Sequence, residues 1–348
     1  WTDLLYSLVP NGSHRQAPAS MPAFDGSDTT SPLGVPKETM LFALYASGQF
    51  GSTFPPYMDE AYNCLNATDP FETNPLCTNT ISTTMPSFIN DRSAYYQSNF
   101  FANIATDPDY RMPIFNAGTF TDPLFTAVES LRMANRLRSV VPDYPIQQYF
   151  GDYEHFVQNK AKEWGDICGA DHHVCEFADY PGGDLNAEPT DLIRTGVTTR
   201  LSRFIDHYAQ PPGNPSEPQP AFDTTASLQV CPQNASAYWP ADEPGQTFSA
   251  SQFDALSDGE LQIDMTGTQT PTSQVDPNGH ADKADPLQGG GLCPTISDAA
   301  GSGVATYESD PLTDHTIMVG GPIVSIDYTA DAADLQLNTR LYDVFPGG

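Results

Sequence analysis

The sequence predicts an α/β layer followed by an all-β domain, and three observations carry that prediction. Residues 112–152 read as strand, turn, helix, strand: "MPIFNAGTF" is a short apolar run ending near Gly and Thr, "DPLFTAVESLRMANRLRSV" has helical spacing, and "YPIQQYFGD" is apolar again. Strands that alternate with helices pair in parallel. A Pro-rich stretch, "AQPPGNPSEPQPAFD", then interrupts the chain, giving a semi-rigid linker over 211–222. Beyond it no long helical period returns; "SLQV", "ELQIDMTG", "TIMVGGPIVSIDYTA" and "LQLNTRLYDVF" are short alternating or β-branched runs, the pattern of an antiparallel sandwich or jelly roll. The expected organisation is therefore an α/β part over 1–210, the linker, and a β domain over 223–348, two cores being the ordinary solution for 348 residues.

Each element has its own signal. Residues 1–35 are dominated by turn formers, with only "WTDLLYSLV" reading as a buried or helical piece. From "KETMLFALYASGQF" to about residue 105 helical pieces alternate with a cysteine-bearing loop, which reads as an inserted cap over about 30–105. In the next helix Phe125, Val128, Leu131 and Leu137 fall near one face, and Asp122-Pro123 supplies an expected N-cap with proline at the first helical position. Val197, Leu201, Phe204, Ile205 and Tyr208 mark a second amphipathic helix that closes the α/β part.

Composition excludes several function classes. A formal charge of -30, from 44 acidic and 14 basic residues, repels phosphate backbones and anionic membranes, so nucleic acid is not an expected partner. No run of 18 apolar residues is present to span a membrane. The start at Trp1 has no charged and apolar leader pattern, so any signal peptide is expected to be gone already. Six cysteines fall in three local couples, Cys64 with Cys77, Cys168 with Cys175, and Cys231 with Cys293; this is the most economical of fifteen pairings and points to an oxidising, extracytoplasmic compartment. Asn11, Asn66 and Asn234 each open an Asn-x-Ser/Thr sequon.

No cofactor or metal is expected. "CGADHHVC" offers zinc-type ligands, but the adjacent His172 and His173 are expected to point apart and the spacing fits no ordinary finger. Asp276, Asn278, Asp282 and Asp285 have a loose calcium-loop look without the spacing or bidentate Glu of an EF-hand, and read better as a solvated acidic loop. "GGDLN", "QGGGLC" and the final "PGG" lack the lysine and helix of a phosphate loop.

The chemistry-bearing candidates are Asp122 and His155, each a few residues past the carboxyl end of consecutive predicted strands, where α/β sheets place their ligand sites. A carboxylate that accepts the imidazole Nδ1 proton fixes the tautomer and leaves Nε2 free as a general base. Asp107, Asp109 and Asp152 rank lower because none sits in the glycine-to-aspartate turn "AGTFTD". Three stretches carry a family resemblance: "MPIFNAGTFTDPLFTAVESLRMANRL", "QQYFGDYEHFVQNK", and "YESDPLTDHTIMVGGPIVSIDYTADAADLQLNTRLYDVFPGG" with its "S-x-P-L", "G-P" and "L-x-D-V". Together with "WTDLLYSLVPNG", similar to the entry into a cap, they resemble the α/β hydrolases related to X-prolyl dipeptidyl peptidases and cocaine esterase. The resemblance implies the C-terminal part of an α/β-hydrolase domain with a helical cap, followed by an incomplete jelly roll. It also implies a triad acid at Asp122 and a triad base at His155.

The chain departs from that pattern in one place: no G-x-S-x-G occurs in it, and "YASGQFGST" and "GSGVA" lack the frame of a nucleophile elbow. The expectation is a secreted serine hydrolase acting on a peptide or ester. Its nucleophile would come from an N-terminal half upstream of Trp1, and the strand carrying "MPIFNAG" would pair with that missing part. The alternative is a non-catalytic structural, carbohydrate-binding or protein-binding protein on the same fold.

Overall fold

A computed structural model of the chain describes residues 38–51, 56–66, 74–84, 94–120, 122, 125, 127–151, 197–209, 218–227, 247–257, 259–271, 303–314, 316–320, 324–329, 331 and 339–344. By internal contacts it divides into two units. One comprises Trp1–Gly118, Leu124–Ile146 and Pro322–Leu341, the other Thr119–Pro123, Gln147–Gly321 and Tyr342–Gly348.

Among the described residues the first unit opens with two helices, α1 (Glu38–Gly51) and α2 (Pro56–Leu65). Tyr45 of α1 stacks on Tyr62 of α2 with ring centroids 3.9 Å apart, and the Tyr45 hydroxyl donates to Asp59. That bond to a carboxylate pushes the Tyr45 phenol up to about 12. The last turn of α2 is tied to the following turn by the disulfide Cys64–Cys77, both cysteines being buried. This is the pairing expected from the sequence; the other four cysteines lie outside the described residues. Two helices followed by a disulfide-closed turn thus occupy this part of the chain.

Next come α3 (Ser98–Thr106), β1 (Ile114–Thr119) and α4 (Ala127–Val140). Phe101 and Ile104, three apart on α3, meet Ala134, Leu137 and Val141, spaced by three and four at the end of α4, and Tyr144 and Ile146 complete this core. Spacing of three and four keeps one helix face apolar, which is why these residues form the buried side. α3 ends at Asp107, whose side chain accepts from the Asp109 backbone N–H at 3.0 Å around Pro108. Asp107 is accordingly committed to a turn.

The sequence reading starts α4 at Pro123 with Asp122 as N-cap. The helix begins instead at Ala127, so Asp122 stands five residues before it and is not a cap. The face is also different from the purely apolar one expected: Glu129 and Arg132 are buried, while Phe125 and Leu131 are only half-buried. Arg132 is 2% exposed and its Nη1 contacts both Glu129 carboxylate oxygens at 3.2 and 3.3 Å. The Tyr95 ring lies 4.8 Å under the Arg132 guanidinium, and Arg136 lies over Phe101 at 4.6 Å. Opposite charge and aromatic faces let Glu129 and Arg132 be buried on this helix.

β2 (Ile146–Gly151), which lies in the second unit from Gln147 on, is buried at every position, as a parallel strand covered on both faces should be. β3 (Thr224–Ser227) pairs with it in parallel, in the register Gln148 with Thr224 and Tyr149 with Thr225. β4 (Thr247–Ala250) pairs antiparallel to β3. The sheet order is β1-β2-β3-β4, a mixed four-stranded sheet. At both ends of β1 the backbone bonds run in step with β2, Ile114 N–H to Pro145 O and Phe120 N–H to Gly151 O, each 2.9 Å, so β1, α4 and β2 form the expected βαβ unit. α5 (Val197–Tyr208) is the second predicted helix; Val197 and Phe204 are buried, and Arg200 pairs with Asp223 at 3.7 Å beside the Tyr149 ring.

The sequence reading gives this sheet two strands from one segment. The structure adds two more from beyond the Pro-rich stretch, at the point where the β domain was expected to open. β3 escapes a hydrophobicity search because it reads Thr-Thr-Ala-Ser; it is buried nonetheless, with Thr224 Oγ1 donating to Gln148 Oε1 at 3.1 Å and Thr225 Oγ1 bonded to Ser249 Oγ at 2.8 Å. Among the described residues of 259–344 no strand ladder forms, and the Gln269 side chain bridges to Thr306, donating to its carbonyl and accepting from its N–H at 3.1 Å.

Candidate active site at the carboxyl ends of the first two strands

Gly118 ends the stretch of β1 that carries Ile, Phe and Asn, and the chain turns immediately after Thr119. The turn is held to the last residue of β2 by two bonds on one oxygen: the Thr119 hydroxyl and the Phe120 N–H both donate to the Gly151 carbonyl at 2.9 Å. A carbonyl oxygen has two lone pairs, so this acceptor is fully used. Phe120 packs on Phe150 with centroids 5.8 Å apart, and Phe150 meets Phe253 edge-on at 5.0 Å, closing the apolar side of the turn.

Asp122 follows two residues after Phe120 and is 8% exposed. Helix capping does not account for this burial; a buried carboxylate is held by partners that offset its desolvation. His155 lies four residues past Gly151 and, with Asp152, falls outside the described residues. The two rims that precede Asp122 and His155 in the chain are therefore side by side. Asp109 is exposed and Asp107 is spent on its turn.

Sequence reasoning missed Thr119, whose only signal was a hydroxyl residue at the end of a strand. It also missed the buried Glu129 and Arg132, which at a spacing of three on a helix look like an ordinary surface pair. Burial raises the Glu129 carboxyl above its ordinary value, against the opposing pull of Arg132. Among the described residues no three His, Cys, Asp or Glu side chains come together as metal ligands, and no helix is long and apolar enough to cross a membrane. The zinc-type and calcium-type sequences lie outside the described residues.

No family model matches this chain, and no curated protein or solved structure matches it.

Proposed function

We propose that this chain carries the acid and base of an extracytoplasmic serine hydrolase that cleaves an X-prolyl peptide or an ester through an acyl-enzyme. The observation that supports this reading is the fastening of the two strand ends, with a buried Asp122 beyond one and His155 four residues beyond the other. In this reading 1–210 is the C-terminal part of an α/β-hydrolase domain with its cap at about 30–105, and 223–348 contains a jelly roll. The serine comes from a segment outside this sequence, since no nucleophile elbow occurs within it.

Asp122 accepts the His155 Nδ1 proton and so holds the imidazole in the tautomer whose Nε2 is basic. Nε2 takes the serine hydroxyl proton as the oxygen attacks the carbonyl, then returns it to the leaving amine or alcohol. Water repeats the sequence to free the acid product. A fluorophosphonate probe on the complete protein tests the reading: the serine is expected to label, and His155→Ala is expected to abolish labelling, as Asp122→Asn would largely do. Unlabelled wild-type protein, or full turnover in His155→Ala, would overturn it.

A further inference from the structure

We propose that Asn66 is an N-linked glycosylation site that accepts an oligosaccharide from a lipid-pyrophosphate donor. The inference rests on the extracytoplasmic location in the reading above, and not on the hydrolase chemistry. Asn66-Ala67-Thr68 is a sequon, and among the described asparagines Asn66 alone is followed two positions later by Ser or Thr. Asn66 is exposed and stands one residue past the end of α2, where a transferase can reach it from solvent.

Two further features bear on the chemistry. Cys64, two residues before, is bonded to Cys77, and that bond forms in the oxidising compartment where secreted chains receive N-linked sugars. The backbone N–H of Asn66 and its Nδ2 both donate to the Tyr62 carbonyl at 3.0 Å. Glycosylation replaces one of two hydrogens on Nδ2; the backbone bond is untouched and one side-chain N–H remains to donate. The helix end thus keeps its closure after modification. In the transfer Nδ2 forms the bond to the anomeric carbon, the bond from that carbon to the pyrophosphate oxygen breaks, the lipid pyrophosphate leaves with the electron pair, and the amide loses one proton.

The test is site mapping on the full chain secreted from a eukaryotic cell that makes the lipid-linked donor. Enzymatic release of glycans in heavy-oxygen water should convert Asn66 to a labelled Asp in the disulfide-linked peptide containing Cys64. Thr68→Ala should remove that label, and Thr68→Ser should keep it. A bare Asn66 in secreted, disulfide-bonded protein overturns the proposal, whatever Asn11 and Asn234 carry. Serine-probe labelling is unaffected by either outcome, so a failure here and a failure of the hydrolase reading are read separately.

Discussion

The Thr119 hydroxyl donates to the Gly151 carbonyl at 2.9 Å, joining the turn before Asp122 to the strand end before His155. Thr119→Val keeps the shape and removes the donor. It should cost about 1 kcal/mol in urea unfolding, the net value of one such bond. On the proposed function it should also lower kcat with KM unchanged, because positioning of acid against base is disturbed and substrate binding is not. Thr119→Ser should restore both. A Val variant with wild-type kcat would show that the clamp has no part in the chemistry.

Glu129 and Arg132 are buried together, and burial outweighs Arg132 in setting the Glu129 carboxyl above its ordinary value of 4.5. The folded state then holds that proton more tightly than the unfolded state. The resulting stability is full below 4.5 and is lost as pH rises through the raised value. Glu129→Gln should flatten this part of the pH–stability curve. Glu129→Ala should cost about 3–5 kcal/mol where Glu129 is ionised, since the Arg132 charge then loses its carboxylate, and less at the acid end, where Glu129 is already protonated. Urea unfolding of both variants from pH 4 to 7, about the range where carboxyls titrate, checks the order.

Leu137 is fully buried in the helix core, whereas Leu201 on α5 is 38% exposed. Leu137→Ala should cost about 2–5 kcal/mol and Leu201→Ala less than about 1. Equal losses in thermal or urea unfolding would contradict the burial difference.

The Cys64–Cys77 bridge closes a loop of sequence separation 13. Replacing both cysteines by alanine should destabilise the chain by about 2–4 kcal/mol. The measurement is urea unfolding without reductant, so that the remaining cysteines keep their state.

With a formal charge of -30, repulsion among carboxylates opposes compaction. Raising salt from about 0.1 to 1 M shortens the screening length from about 10 to 3 Å and should raise the unfolding temperature. A temperature that falls or stays flat would mean that the acidic residues are spread too far apart to repel.

The parts of the fold visible in the sequence are those written in apolar periodicity. β2 shows as a nearly continuous buried run and α4 as a stripe ending in Leu137. What stayed hidden depends on polar residues that are buried because they satisfy one another. Thr224 and Thr225 lie in the sheet interior because Gln148 accepts from the first hydroxyl and Ser249 shares a hydrogen bond with the second, and Glu129 and Arg132 share one helix face because each offsets the other's charge. Leu201 and Ile205 show the reverse, being apolar and exposed on a face that periodicity assigned to the core. Asp122 was legible as a residue in a strand-end turn; its burial was not, because the Asp-Pro pair reads equally well as a helix cap.

Gln148 and Thr224, paired across neighbouring strands, are 76 residues apart in the chain. At roughly 5–20 residues per second of synthesis, β2 waits roughly 4–15 s after leaving the ribosome before its neighbour is made. During that interval a buried-type strand has one side of its ladder open, the condition under which nascent chains misassociate. The polar character of β3 eases the step that covers β2, because a late strand of Thr, Thr, Ala and Ser stays soluble until it meets Gln148. The open side of β2 is therefore closed by the least hydrophobic strand of the sheet, with β4 added outside it afterwards, and newly made protein should depend most on holding factors until β3 has docked.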